Sequence, residues 1–197
     1  MKNPCPGLWL ADIQEQTKHL TSLTNNLITL SRMEEERTRL QMIDFPFSDV
    51  VEETVQSFQA LARTQNKTFE TLIQPMISLY GDEKSLTQLV SILLDNAMKY
   101  STPKGEISLR LEKAGNNVKL SLYNPADSII REQLPHLFDR FYRTDKSRSS
   151  RTGGYGLGLS IAAAVVNTHK GKITATTQDE HSLLITVTLP LKAQGRK

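Results

Sequence analysis

The strictest constraint in this chain is the alternation of apolar and polar residues between positions 107 and 122. Ile107, Leu109 and Leu111 alternate with Ser108, Arg110 and Glu112. Val118, Leu120 and Leu122 repeat the pattern after a turn at 114–117. Successive side chains of a strand point to opposite faces, so the two runs read as a hairpin with one buried face. Leu183, Ile185, Val187 and Leu189 alternate in the same way near the end of the chain, after a further strand at 172–178. A sheet that is apolar on one face needs a second layer to cover it.

Helical stretches supply that layer. Within residues 81–101, Leu86, Leu89, Val90, Leu93, Leu94 and Ala97 recur at helical spacing, with Asp82 placed to cap the helix. Asn96 and Lys99 share another face of this helix, with Tyr100 beside them. An amide oxygen, an ammonium and an aromatic ring suit a ligand made of phosphate, metal and base. An ordinary polar surface contains the same residue types, so this stretch alone leaves both readings open. Phe47, Val50, Val51, Val55, Phe58, Leu61 and Ala62 form an earlier helical face, with Asp49, Glu52 and Glu53 in its first turn. Short strands are expected at 68–73 and 77–80, separated by Pro75 and closed as a pair by Gly81. Residues 134–142 read as a short helical or irregular piece. Residues 157–169 read as an apolar helix ended by Gly171, with His169 and Lys170 in the last turn. The order predicts one mixed sheet covered on one face by helices.

Residues 8–39 carry a narrow heptad-type stripe of Ile13, Leu20, Leu23, Leu27 and Leu30, which asks for partner helices. Pro46 breaks this pattern, so the expected division is 1–43, 44–192 and a tail at 193–197. The net charge of +3 does not suggest a nucleic-acid partner. A lone cysteine, Cys5, excludes an internal disulfide and points to a reducing compartment. No apolar run approaches the ~20 residues that span a bilayer. His19, His136, His169 and His181 lack the spacing of metal ligands.

Chemistry concentrates in one further stretch. Residues 153–159 read Gly-Gly-Tyr-Gly-Leu-Gly-Leu and open the last helix. Glycines let a backbone approach an anion, and a helix start offers free N–H groups. The loop before them carries Arg143, Lys146, Arg148 and Arg151. A basic segment hinged on glycines suits a lid over phosphates; a solvated charged loop is the alternative.

LLDNAMKYS (93–101), LFDRFYR (137–143) and GGYGLGLSI (153–161), in that order, resemble the ATP-binding domain of sensor histidine kinases of two-component systems. The resemblance covers roughly residues 47–191. It implies an α/β fold, a two-layer sandwich of a mixed sheet and three helices preceded by a long bundle helix. NNLITLSRMEEE (25–36) looks like the second helix of the family's dimerisation bundle. By resemblance, Asn96 matches the Mg²⁺-binding asparagine, Lys99 a phosphate contact and Tyr100 the ring that packs on adenine. Phe138, Arg140, Phe141 and Arg143 match the phenylalanine box, whose arginines face the phosphates. Gly154, Gly156 and Gly158 match the glycine box, with Leu157 and Leu159 as packing residues. The ligands implied are ATP and Mg²⁺. The partners implied are the histidine-bearing dimerisation helix of a full-length homodimeric kinase and a response regulator. A cytoplasmic location follows, with membrane contact only through segments outside this chain.

Departures from the family pattern are specific. The adenine-reading Asp-x-Gly-x-Gly box has Asn124, Ala126 and Ser128 instead, so an uncharged amide oxygen takes the aspartate's place. Ile92 stands one turn before Asn96, where related ATPases carry an acidic base, which favours a kinase over a hydrolase. The phosphoacceptor motif, a histidine followed by an acidic residue with proline four places on, has no match. His19 is followed by Leu20, and Leu23 stands four places on. The expected activity is therefore transfer of the ATP γ-phosphoryl to a histidine not in this chain. The alternatives are a nucleotide-binding scaffold module and another kinase or ATPase of the same superfamily. Phosphotransfer to a supplied histidine-bearing helix separates the first; the bundle-like helix, phenylalanine box and Ile92 argue against the second.

Overall fold

The computed structural model describes residues 17, 21 and 24, then 40–143 and 156–192. Thr17, Thr21 and Thr24 are helical, and the Thr21 hydroxyl donates to the Thr17 carbonyl at 2.9 Å. The rest of the leucine-striped segment lies outside the described residues.

The main sheet holds β2 (Thr68–Ile73), β4 (Glu106–Ala114), β5 (Asn117–Pro125), β7 (Ser182–Pro190) and β6 (Lys172–Thr176), in that spatial order. β2 runs parallel to β4, and the other neighbours are antiparallel. The alternation read from the sequence sets the register. Leu109 faces Leu122 and Leu120 faces Val187, so the apolar positions fall in rows on one face. These side chains are buried under α1 (Phe47–Thr64), α2 (Glu83–Tyr100) and α3 (Gly158–Thr168). Ser108, Arg110, Lys119 and Ser121 point to the other face. The result is the two-layer α/β sandwich expected.

Two expectations need correction. The strands at 68–73 and 77–80 do not form a pair. β2 joins the edge of the main sheet, while β3 (Ser78–Asp82) pairs antiparallel with β1 (Met42–Pro46). The Ser48 hydroxyl separates them by donating to the Gln74 carbonyl at 2.7 Å and accepting from the Ile77 amide at 3.0 Å. Phe45 and Leu79 meet opposite each other and are buried. Leu61, which spacing put on the apolar face of α1, is 43% exposed.

The end of α3 also differs from the expectation. Lys170, not Gly171, takes the left-handed conformation, at φ +55°. Gly171 is required for space instead, because a Cβ there would stand 2.5 Å from the Thr188 carbonyl oxygen.

Candidate nucleotide site

α2 presents two faces of opposite use. Leu93, Leu94 and Ala97 are buried against the sheet, which turns Asn96 and Tyr100 half outward and leaves Lys99 exposed. Lys99 Nζ bonds Asp95 Oδ2 at 2.6 Å, one turn back on the same helix. Both ends of α2 are held. Asp82 Oδ1 accepts from the Ser85 amide at 2.8 Å and from its hydroxyl at 2.6 Å. At the other end Lys67 Nζ donates to the Met98 carbonyl at 2.6 Å and to Ser101 Oγ at 2.5 Å. An ammonium there opposes the negative end of the helix dipole, while burial lowers the Lys67 pKa.

The start of α3 lies against α2. A Cβ built on Gly158 would meet Ile92 Cγ2 at 3.5 Å, ordinary contact that does not demand glycine. Ile92 is one turn before Asn96. Among the described residues, α3 has no side-chain cap and no acidic residue in its first turn, a helix start whose N–H groups suit an anion. Leu157 is buried at this junction.

Gly156 is the glycine that geometry requires. Its φ is +70°, and a Cβ would lie 2.6 Å from the Tyr142 carbonyl oxygen. Its own carbonyl accepts from the Phe141 amide at 3.0 Å. One hydrogen bond thus joins the phenylalanine and glycine boxes, whose intervening residues 144–155, with Gly154, lie outside the described residues. Phe138 ends a 3₁₀ helix (Arg131–Phe138) and is half-buried. Arg140 is exposed and Arg143 half-buried. Phe141 is 63% exposed, at φ +61°.

Asn124 ends the buried row of β5 and is 2% exposed. Its Nδ2 donates to the Pro125 carbonyl at 3.1 Å, which orients Oδ1 as the acceptor. The Thr102 amide, two residues past α2, donates to that same carbonyl at 3.2 Å. The end of β5 and the end of α2 therefore share a corner, bringing Asn124 to the Tyr100 end of the helix.

Among the described residues, no group of three His, Cys, Asp or Glu could hold a metal unaided. A hard cation at Asn96 would therefore take further oxygens from phosphate and water, which suits Mg²⁺. No helix among the described residues is long and apolar enough to cross a membrane. Sequence reasoning missed two supporting groups, Lys67 and the buried His169. Lys67 binds backbone carbonyls 31 and 34 residues away and leaves no local pattern.

Comparison with known proteins identifies the class of this helix-covered mixed sheet. Residues 81–193 match the family described as histidine kinase-, DNA gyrase B-, and HSP90-like ATPase, and the chain belongs to that family. Its relatives point to the sensor-kinase branch. It is 33% identical over 192 residues to the sensor protein DltS of Streptococcus agalactiae, covering 97% of this chain and 48% of DltS. The chain thus spans about half the length of the curated relatives it matches. Among solved structures, Acinetobacter baumannii histidine kinase AdeS is similar with a TM-score of 0.77 and 25% identity, over 96% of this chain and 87% of that one. Histidine kinase ThkA in complex with response regulator TrrA shares the fold. Its TM-score is 0.75 at 20% identity, over 98% of this chain and 55% of that one.

Proposed function

We propose that this chain is the ATP-binding catalytic part of a two-component sensor histidine kinase. The observation that carries the reading is the placement of Asn96 one turn past Ile92, where the uncapped start of α3 meets α2. Anion-binding backbone and a cation-binding oxygen then serve the same triphosphate. Asn96 supplies its amide oxygen to Mg²⁺, which when bound neutralises phosphate charge. Lys99, exchanging Asp95 for the nucleotide, contacts phosphate. Tyr100 packs on adenine, and Asn124 Oδ1 accepts from the adenine amino group. The Gly156, Leu157 and Gly158 backbone faces the phosphates, with Gly154 of the same box outside the described residues, and Phe138, Arg140 and Arg143 of the phenylalanine box add apolar surface and positive charge.

Phosphoryl transfer needs positioning and charge stabilisation more than covalent help, so such a site suffices. With Ile92 in place of an acidic base, the acceptor is a histidine rather than water. That histidine stands on a dimerisation helix outside this chain, and residues 1–43 supply the second helix of the same bundle. Onward transfer goes to a response-regulator aspartate, in keeping with the solved complex of ThkA with TrrA.

Labelled ATP, Mg²⁺ and a separately supplied histidine-bearing helix test this. The expected result is acid-labile label on the supplied helix, absent with Asn96→Ala. ATP binding without transfer would replace the kinase by a nucleotide-binding scaffold.

A further inference from the structure

Asp82 makes more bonds than a helix cap needs. Oδ1 serves the first turn of α2 through Ser85, but Oδ2 accepts the Gln41 amide at 3.0 Å. Gln41 precedes β1 and lies just past the β1–β3 ladder, which begins at Met42 opposite Asp82. It is where the chain arrives from the N-terminal segment. The Asp82 backbone N–H donates in turn to His169 Nε2 at 3.0 Å, and His169 Nδ1 bonds the Val165 carbonyl at 2.8 Å, one turn back in α3. These bonds specify the neutral imidazole with its proton on Nδ1. His169 is only 6% exposed. Gly81 has no side chain because a Cβ would stand 2.9 Å from His169 Cδ2 and 2.7 Å from Leu86 Cδ1.

We propose that Asp82 and His169 are positioning residues of a junction coupling residue 41 to the two helices that carry the nucleotide site. The proposal rests on the nucleotide reading above. α2 leaves this junction and reaches Asn96 and Tyr100 at its far end. α3 arrives at it from Gly156 and Gly158. A nucleotide that changes the angle between the two helices at their phosphate ends turns them about the junction, and Oδ2 passes that turn to the Gln41 amide. Coupling between sites is reciprocal, so a displacement of the N-terminal segment changes nucleotide affinity by the same factor. A cap alone would use one oxygen, and a filler alone would be apolar. Two used oxygens and a fully bonded imidazole tie three chain segments through one residue.

The test is the amide spectrum of the ¹⁵N-labelled chain titrated with Mg-ATP, for the native protein, His169→Gln and His169→Leu. Gln places an oxygen acceptor near the position of Nε2; Leu fills space without one. The expected result is ATP-induced shifts at Asn96, Gly156 and Gln41 in the native protein and in His169→Gln. In His169→Leu the Gln41 shift falls at least threefold while the Asn96 shift persists. Asp82→Asn is the gentler variant should His169→Leu not fold: its single oxygen keeps the Ser85 cap and loses Gln41, with the same loss of response expected. A merely structural His169 would lower the melting temperature and leave the Gln41 response intact, which overturns the junction. Shifts at Asn96 and Gly156 with Gln41 unmoved in the native protein overturn the coupling alone. No shift anywhere overturns the nucleotide reading and the coupling with it.

Discussion

Asp82 and His169 respond to pH in the same direction for different reasons. Burial lowers the His169 pKa from 6.5, against the opposing pull of the Val165 carbonyl and the Asp82 carboxylate. The unfolded chain therefore binds a proton at a higher pH than the folded one. The His169 contribution to stability is complete above pH 6.5 and is lost as pH falls from there through the folded value. Burial pushes the Asp82 carboxyl up, but hydrogen bonds from Ser85 and Gln41 outweigh it and hold the pKa below 3.8, so its contribution disappears only in stronger acid. Thermal melts from pH 7.5 down to 5 should show a falling melting temperature, and His169→Gln should flatten that slope. An equal slope in the variant would assign the titration elsewhere. Gly156 gives the second prediction at this scale. Gly156→Ala puts a Cβ at positive φ and against the Tyr142 carbonyl oxygen, a cost of about 1–3 kcal/mol. The backbone shifts to relieve it, so ATP affinity measured by calorimetry should fall at least tenfold.

Among the elements, α2 depends most on contacts that its own sequence does not announce. Its apolar face is readable from spacing alone, and so is the Asp82 cap, because Asp followed three places on by Ser85 is a local signal. Lys67 is different. It sits after α1, far along the chain, and its partners are the Met98 and Ser101 carbonyls, which every residue possesses, and the Ser101 hydroxyl. Lys67→Met keeps the stem and removes the charge, leaving the Met98 and Ser101 carbonyls without their donor. Chemical denaturation should show a loss of about 2 kcal/mol, and hydrogen exchange should quicken first in residues 96–100. The same contrast explains the strands. β4, β5 and β7 carry their burial in strict alternation and were readable. β2 and β3 are short, and their separation is decided by distant partners, Leu111 for the end of β2 and Phe45 for β3. The motifs around Asn96, Phe138 and Gly156 were also readable, because each clusters within a few residues. Their meeting through the Phe141–Gly156 bond and the approach of Gly158 to Ile92 was not, since both cross between elements.

At the scale of the molecule, a folded ATPase-family domain follows a segment whose leucine stripe asks for other helices. Leu23 and Leu27, which lie outside the described residues, belong to that stripe by spacing alone. Replacing both by Asn should weaken self-association in sedimentation without lowering the melting temperature of the domain. An unchanged sedimentation profile would count against the seam. The central claim is that the outward face of α2 and the start of α3 form one site for Mg-ATP. The most direct measurement is calorimetry of ATP, with and without Mg²⁺, on the native chain and on Asn96→Ala. Binding should strengthen with Mg²⁺ in the native chain and lose that dependence in the variant. Binding with the same Mg²⁺ dependence in Asn96→Ala, or none at millimolar ATP in the native chain, would contradict it.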